Sequence, residues 1–366
     1  MSMNDSDLIE RLHAVAEGFQ MPPTTPADDV SRGRRRVRRN RGLLAAAAAA
    51  SVAVVIGVTA AVGGQDPVEP APIEQPNQPD SQGIFADIHG WMVYGDRTGI
   101  WAMNPSRPAD QKPKLVIDRP GQPLGWSSDG TKLLIARSLD DEPRRDSNYD
   151  LLVLDADGTE NRVARGGFYL DGSISPDGTQ VIYSDAWSGN AGIHTVGTDG
   201  GTPRLLLAPE PHEQQGTVFD RETYFPVFSP DGTKIAYFDG HGDWGHRLRV
   251  MNTDGTDSRT LHESDNHIRG LAWSPDAQRL IFADDVGVWA IGIDGSGLAK
   301  VAGSSPASTG SYPSWSSDGS RISYQRDRKL YVANADGTQA TLFAHLSSGW
   351  GRSAQWNPLP LQGGAK

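Results

Sequence analysis

The sequence predicts an all-β fold, a six-bladed β-propeller of four-stranded blades whose C-terminal strand closes the first blade, preceded by one transmembrane helix. The first observation behind this is a repeated phrase: Trp126-Ser127-Ser128-Asp129-Gly130, Ile174-Ser175-Pro176-Asp177-Gly178, Phe228-Ser229-Pro230-Asp231-Gly232, Trp273-Ser274-Pro275-Asp276-Ala277 and Trp315-Ser316-Ser317-Asp318-Gly319. Its aspartates recur every 42 to 54 residues or so, the period of stacked units with about four short strands each. A second phrase follows the first at near-constant distance and ends in Asp157-Gly158, Asp199-Gly200, Asp254-Gly255, Asp294-Gly295 and Asp336-Gly337. Asp-Gly between two short β-rich runs marks a tight hairpin, because glycine accepts positive φ and aspartate bonds its own backbone. The third observation is a charge-free run, Leu43 to Val62, directly behind a cluster of arginines.

Taken in order, residues 1–42 form a cytoplasmic segment. Asp5–Phe19 carries Leu8, Ile9, Leu12, Val15, Ala16 and Phe19 at helical spacing, as a short helix lying on the membrane or docking a cytoplasmic factor would. Seven arginines between Arg32 and Arg41 flank the apolar run and place that side in the cytoplasm. Residues 43–62 are the transmembrane helix, since twenty residues at about 1.5 Å rise span roughly 30 Å of hydrocarbon. The run is longer than a signal-peptide core and its charged flank is far longer, so it reads as an anchor, not a cleaved leader. Residues 63–83 hold five prolines among acids and read as an extended linker. The propeller occupies 84–360 and a tail 361–366.

Within the propeller each unit reads as four strands. In the unit opened by Phe225 these are Phe225–Ser229, Lys234–Phe238, Arg247–Asn252 and Arg259–His262. Five units are complete. Trp91–Tyr94, Ile100–Met103 and Lys114–Ile117 lack an opening strand, and Ala354–Pro358 is an opening strand with nothing behind it. Together they make the sixth blade and remove exposed sheet edges. A rival arrangement uses Ile84–Ile88 as the missing strand.

The alternating phrases resemble the TolB-type, WD-like bacterial six-bladed propeller repeats, over about residues 84 to 360. The departures are Ser128 and Ser317 for proline and Ala277 for glycine. The family's N-terminal α/β domain has no counterpart here, which argues against a Tol-type envelope role. The resemblance implies a fold more than an activity, because propellers host unrelated functions.

Charge and composition narrow the partners. Residues 1–42 hold eight arginines and six acids, a balance of +2; against the chain's −11 this leaves −13 on the remainder. An acidic propeller suits cations or basic peptides and disfavours polyanions, so nucleic acid is not expected. There is no cysteine, hence no disulfide and no thiol nucleophile. No serine-hydrolase elbow, zincin motif or phosphate loop occurs, and catalysis is not the expected role.

The Asp-Gly turns share one face of the ring, and the irregular connections share the other, where binding groups usually sit. Candidate ligand-binding residues on that loop face are Arg144, Arg145, Trp187, His212, His241, Asp243, Trp244, His246, Arg269, Trp350 and Arg352. The stretch Asp239–His246 offers two histidines and two aspartates, a set suited to a divalent metal, though solvated loop residues are the simpler reading and no cofactor is expected. Trp126, Trp273, Trp315 and Trp356 occupy one repeat position and Trp101 and Trp289 another, so these are packing residues. The expected function is a monomeric, membrane-anchored extracytoplasmic module that binds a protein, peptide or cell-wall ligand. The alternatives are a glycan lyase or hydrolase, with or without a metal, and a transmembrane sensor signalling through its N-terminal segment.

Overall fold

A computed structural model describes residues 83–106, 112–139, 149–167, 170–185, 191–214, 217–220, 222–241, 244–303, 312–327, 329–345 and 354–360. The expected cytoplasmic segment (1–42), the expected transmembrane helix (43–62), the expected linker as far as residue 82 and the tail (361–366) lie outside these residues. Among the described residues no helix is long and apolar enough to cross a membrane.

Six four-stranded antiparallel sheets form the blades. Blade 1 contains β1 (Met92–Gly95), β2 (Ile100–Met103) and β3 (Lys114–Ile117). Blade 2 is β4 (Gln122–Trp126), β5 (Lys132–Ser138), β6 (Tyr149–Asp155) and β7 (Glu160–Gly167). Blade 3 is β8 (Leu170–Ile174), β9 (Gln180–Asp185), β10 (Ile193–Gly197) and β11 (Gly200–Leu207). After a separate hairpin of β12 (Pro211–Gln214) and β13 (Thr217–Asp220), blade 4 follows as β14 (Glu222–Phe228), β15 (Lys234–His241), β16 (Trp244–Asn252) and β17 (Arg259–Ser264). Blade 5 is β18 (Arg269–Trp273), β19 (Arg279–Ala283), β20 (Gly287–Gly292) and β21 (Ala299–Gly303). Blade 6 is β22 (Ser314–Trp315), β23 (Arg321–Arg326), β24 (Lys329–Asn334) and β25 (Thr341–His345).

The last strand, β26 (Gln355–Trp356), pairs with β1 through Met92↔Trp356 and Val93↔Gln355, and Asn357 N–H donates to the Trp91 carbonyl at 2.8 Å. The ring thus closes with the C-terminal strand. The rival strand at 84–88 is instead a turn. It drives Phe85 and Ile88, both fully buried, into the core between blades 1 and 2, with Phe85 edge-on to Trp126 at 4.8 Å.

The core is divided, with one apolar cluster at each of the six blade interfaces. Leu134, Leu151 and Val153 of blade 2 meet Ile174, Val181 and Tyr183 of blade 3. Each such side chain contributes about 1.5–3 kcal/mol on burial. Strand-a tryptophans span these interfaces as expected. The Trp273 indole donates to the Val227 carbonyl of blade 4, and Arg279 lies 5.0 Å over the Trp315 ring.

Every a–b turn uses the same local chemistry. In blade 3 the Ser175 hydroxyl donates to Asp177 Oδ1 at 2.5 Å and accepts the Gln180 N–H at 2.9 Å, while Thr179 N–H also donates to Asp177. The serines at 127, 229, 274 and 316 repeat it. The Ser128 departure has a structural use, since its N–H and hydroxyl both donate to the Pro176 carbonyl of the next blade. At Ala277 the glycine-like conformation persists, with φ 56.

Candidate functional site

The loop face is built unevenly. In blades 1 and 5 the b–c connection is a tight turn organised by one aspartate. Asp96 accepts the Thr98 and Gly99 N–H groups and the Trp101 indole at 3.1 Å; Asp284 accepts those of Val286 and Gly287 and the Trp289 indole at 2.9 Å. This confirms Trp101 and Trp289 as structural.

Blade 4 is different. Its strands run further out than the sequence suggests: Asp239 pairs with Arg247 and His241 with Trp244, so most of the expected Asp239–His246 loop is hairpin. The chain around the candidate His212 is also a hairpin, because β12 and β13 pair as His212↔Phe219 and Gln214↔Thr217. A charge network ties the base of this inserted hairpin to blade 4. Asp239, 2% exposed, receives both Arg247 Nε and Nη2 at 2.6 Å and Arg249 Nη1 at 3.1 Å. Glu210, just before β12, receives Arg247 at 2.7 Å and Arg249. Burial alone would raise the Glu210 carboxyl, and the hydrogen bonds from Arg247 and Arg249 outweigh it and hold the group below its ordinary value.

The six innermost strands enclose an axial cavity of about 240 Å³. Counting back four residues from each turn serine gives one equivalent position per repeat: Pro123, Asp171, Phe225, Gly270 and Tyr312. Strand a runs from the loop face toward the turn face, so these residues ring the loop-side end of the axis. Asp171, Phe225, Gly270 and Tyr312 line the cavity.

Phe225 holds a backbone φ of 50, in the left-handed region that a bulky residue adopts only under strain. It does so at a bulge, where Tyr224 pairs with Phe238 and Val227 with Ala236. Blade 5 makes the equivalent bulge with Gly270 at φ 68, free of that cost. Gly270 is needed for a second reason: a Cβ there would stand 2.7 Å from Tyr312 Cα. With no side chain on blade 5, the rings of Phe225 and Tyr312 approach to 5.9 Å at 62°.

The expected ligand residues distribute as follows. Arg144, Arg145, Trp187, Asp243, Trp350 and Arg352 lie outside the described residues. His212 lies on β12, and His241 and Trp244 pair at the tip of blade 4. His246 is 3% exposed and its ring lies 4.8 Å from that of His267, while Arg269 donates to Asp285 at 2.6 Å. Of the five within the described residues, His212, His241, Trp244, His246 and Arg269, none is among the described residues that line the axial cavity. Among the described residues no group of three or more His, Asp or Glu side chains could hold a metal ion. Asp171, Phe225 and Tyr312 escaped the sequence reading, although a signal existed: in a repeat whose turn serine never changes, the residue four before it differs every time.

No family model matches the chain. An uncharacterised protein of Agrobacterium fabrum is 26% identical over 254 residues, covering 64% of this chain and 80% of that protein. An uncharacterised peptidase of Bacillus subtilis is 26% identical over 126 residues, 32% of this chain and only 17% of the peptidase. Among solved structures, TolB from Acinetobacter baumannii superposes with a TM-score of 0.57 at 16% identity, covering 74% of this chain and 67% of TolB. A chain of the nidogen/laminin complex superposes with a TM-score of 0.53 at 14% identity, covering 69% of this chain and 92% of its own. At such identities the likeness establishes the TolB-type propeller fold and nothing finer.

Proposed function

We propose that this chain is a membrane-anchored, extracytoplasmic binding module whose propeller takes a protein or peptide partner on its loop face, around the mouth of the axial cavity. The observation that carries this reading is Phe225. The ring of equivalent positions accommodates glycine at Gly270, yet blade 4 keeps a phenylalanine in the same left-handed conformation. Such backbone strain costs about 1–3 kcal/mol and collects at ligand sites. Here it sets an aromatic ring at the cavity mouth beside Tyr312. The adjoining hairpin of β12 and β13, tethered through Glu210, supplies a second surface beside it.

The charge run before Leu43 and the acid-rich residues after it support an orientation with the propeller outside. At about 240 Å³ the cavity falls below the roughly 300–1,000 Å³ of clefts that enclose drug-sized ligands, so it suits one inserted side chain or chain end of a larger partner.

The test is photo-crosslinking in native membranes, with a photoreactive amino acid placed at Thr217 on the hairpin and, as control, at Gly158 on the turn face. A discrete adduct from position 217 and none from position 158 is the expected outcome. Equal crosslinking from both faces, or adducts from position 158 alone, overturns the assignment.

A further inference from the structure

Resting on the reading of the axial cavity as the point of insertion, we propose that the cavity takes one tyrosine side chain of the partner. Its phenol oxygen accepts from the indole N–H groups of Trp126 and Trp315. Three features carry this.

The first is a pair of donors left open. Trp126, Trp273, Trp315 and Trp356 share one repeat position. Two of these indoles are bonded inside the ring, Trp273 to the Val227 carbonyl at 3.1 Å and Trp356 to the Ser323 hydroxyl at 3.2 Å. The indole nitrogens of Trp126 and Trp315 are also buried, yet find no acceptor among the described residues. Trp315 is 6% exposed, and both residues line the axial cavity. A buried donor without an acceptor is costly, and the bonded pair shows that the repeat does not require it. The acceptor is therefore expected from the occupant of the cavity.

The second is the lining. Every blade but the third contributes an aromatic residue to it, and no lysine, arginine or histidine is among the described lining residues. A carboxylate would be buried there without a cation. Lysine and arginine carry only donors and cannot serve an indole N–H. A further aromatic ring packs well against others at an angle, and Phe225 and Tyr312 offer two such walls at the mouth, 5.9 Å apart at 62°. The third is depth. Trp315 lies three residues beyond Tyr312 along the chain, about 10 Å at roughly 3.3 Å per residue. A short polar side chain entering at the mouth does not reach that far. Tyrosine reaches it with a rigid ring and an oxygen at the tip, whereas glutamine loses more rotamer freedom and leaves the aromatic walls unmatched.

The test uses the full chain in detergent micelles, labelled with ¹⁵N at its tryptophan indoles. It is titrated with N-acetyl-tyrosinamide, with N-acetyl-phenylalaninamide, which lacks the acceptor, and with N-acetyl-lysinamide. We expect the tyrosine probe to bind about five-fold more tightly than the phenylalanine probe, and the lysine probe to bind less tightly than the tyrosine probe. At saturation the indole protons of Trp126 and Trp315 should move downfield and exchange more slowly with water. That of Trp273, already bonded, should keep its exchange rate. The donors are removed without changing shape by 3-benzothienylalanine, whose ring carries sulfur in place of N–H. With it at both 126 and 315, the chain should bind the tyrosine and phenylalanine probes alike while keeping its affinity for the latter. The same replacement at 273 should leave the tyrosine preference in place.

Equal binding of the two aromatic probes, or tighter binding of the lysine probe, would overturn the proposal. So would a preference that survives the double replacement, or unmoved indole signals at 126 and 315, as ordered water in the cavity would give. Failure here with crosslinking still confined to the hairpin face would remove only the tyrosine site. Tyrosine binding without a crosslinked partner would remove only the partner.

Discussion

The two faces of the ring are made by the same strands and obey different rules. On the turn face one local device repeats: a serine hydroxyl and a backbone N–H donate to a turn aspartate, the same hydroxyl accepts a second backbone N–H, and the residue after the aspartate, glycine or Ala277, takes positive φ. Everything needed lies within five residues. On the loop face no single device recurs in every blade among the described residues. Blades 1 and 5 close with an aspartate-capped tight turn, while blade 4 lengthens its strands and joins an inserted hairpin through charges far apart in sequence, Glu210 to Arg247 and Arg249. A face held by local bonds can be copied blade by blade. A face held by long-range pairs must be built once, and it is there that a binding surface can differ from its neighbours.

The largest effect on this contrast should come from Asp239→Ala. Among the described residues it leaves Arg247 and Arg249 one carboxylate partner, Glu210, whose side chain is 48% exposed, and removal of one member of a buried charge group typically costs about 3–5 kcal/mol. Glu210→Ala should cost less than about 1 kcal/mol, because an ion pair to a partly exposed carboxylate is worth little net of the hydration it displaces, and Asp239 still pairs both arginines. The two should part in a second measurement: Glu210→Ala should speed proteolysis within 211–220 with little change in global denaturation. If the two substitutions cost the same, the network is not graded by burial as described.

A smaller difference is expected between two glycines of the same turn type. Gly337 sits at φ 81 with a would-be Cβ 1.5 Å from the Val301 carbonyl oxygen of blade 5. Gly337→Ala therefore adds a backbone clash to the left-handed penalty, about 2–4 kcal/mol together. Gly158, at φ 89, has nothing within 4 Å, and Gly158→Ala should cost only the roughly 1–2 kcal/mol of the conformation itself. Denaturant titration of both variants checks whether turn-face glycines are kept for conformation alone or also for blade contact.

What could be read in the sequence follows the same division. The turns, the blade count and the closure by Gln355 and Trp356 were legible because Ser-x-Asp-Gly is local and periodic. The role of the serine was visible only as its constancy, since a hydroxyl that both donates to Asp177 and accepts from Gln180 N–H leaves no composition signal. The inserted hairpin carries little sequence signal, because Gln215-Gly216 is a weak turn signal beside Asn-Gly or Asp-Gly. The extension of β15 and β16 was missed because Gly240 and the histidines looked like loop residues. Gly240 is there for packing, as a Cβ would stand 2.7 Å from His246 Nδ1. The cavity mouth combines one residue from each of several repeats, and only their alignment brings Asp171, Phe225 and Tyr312 to one place.

The smallest and most distributed effect should appear with pH, with the same sign for the turn face and for the interface between blades 4 and 5 but over different ranges. On the turn face the Ser175 hydroxyl and the Thr179 N–H hold the Asp177 carboxyl below its ordinary 3.8, and Ser274 and Gln278 do the same for Asp276. A carboxyl lowered on folding contributes stability that is complete above 3.8 and is lost as pH falls through the folded value, because there the unfolded chain binds more protons. Between blades 4 and 5, burial lowers His262 from 6.5, with its ring 5.6 Å from Phe282. The unfolded chain again takes up the proton first, so this contribution begins to fail as pH drops below 6.5. Stability should thus be level above neutrality, decline gently from about pH 6.5, and fall steeply below about pH 4 as the turn aspartates titrate. His262→Phe should remove the upper slope alone. Ser175→Ala, which takes the hydroxyl from Asp177, should lower stability at neutral pH and make the acid limb shallower. Denaturation midpoints between pH 3 and 8 that show the two variants altering the same limb would mean the turn face and the blade 4–5 interface do not titrate separately.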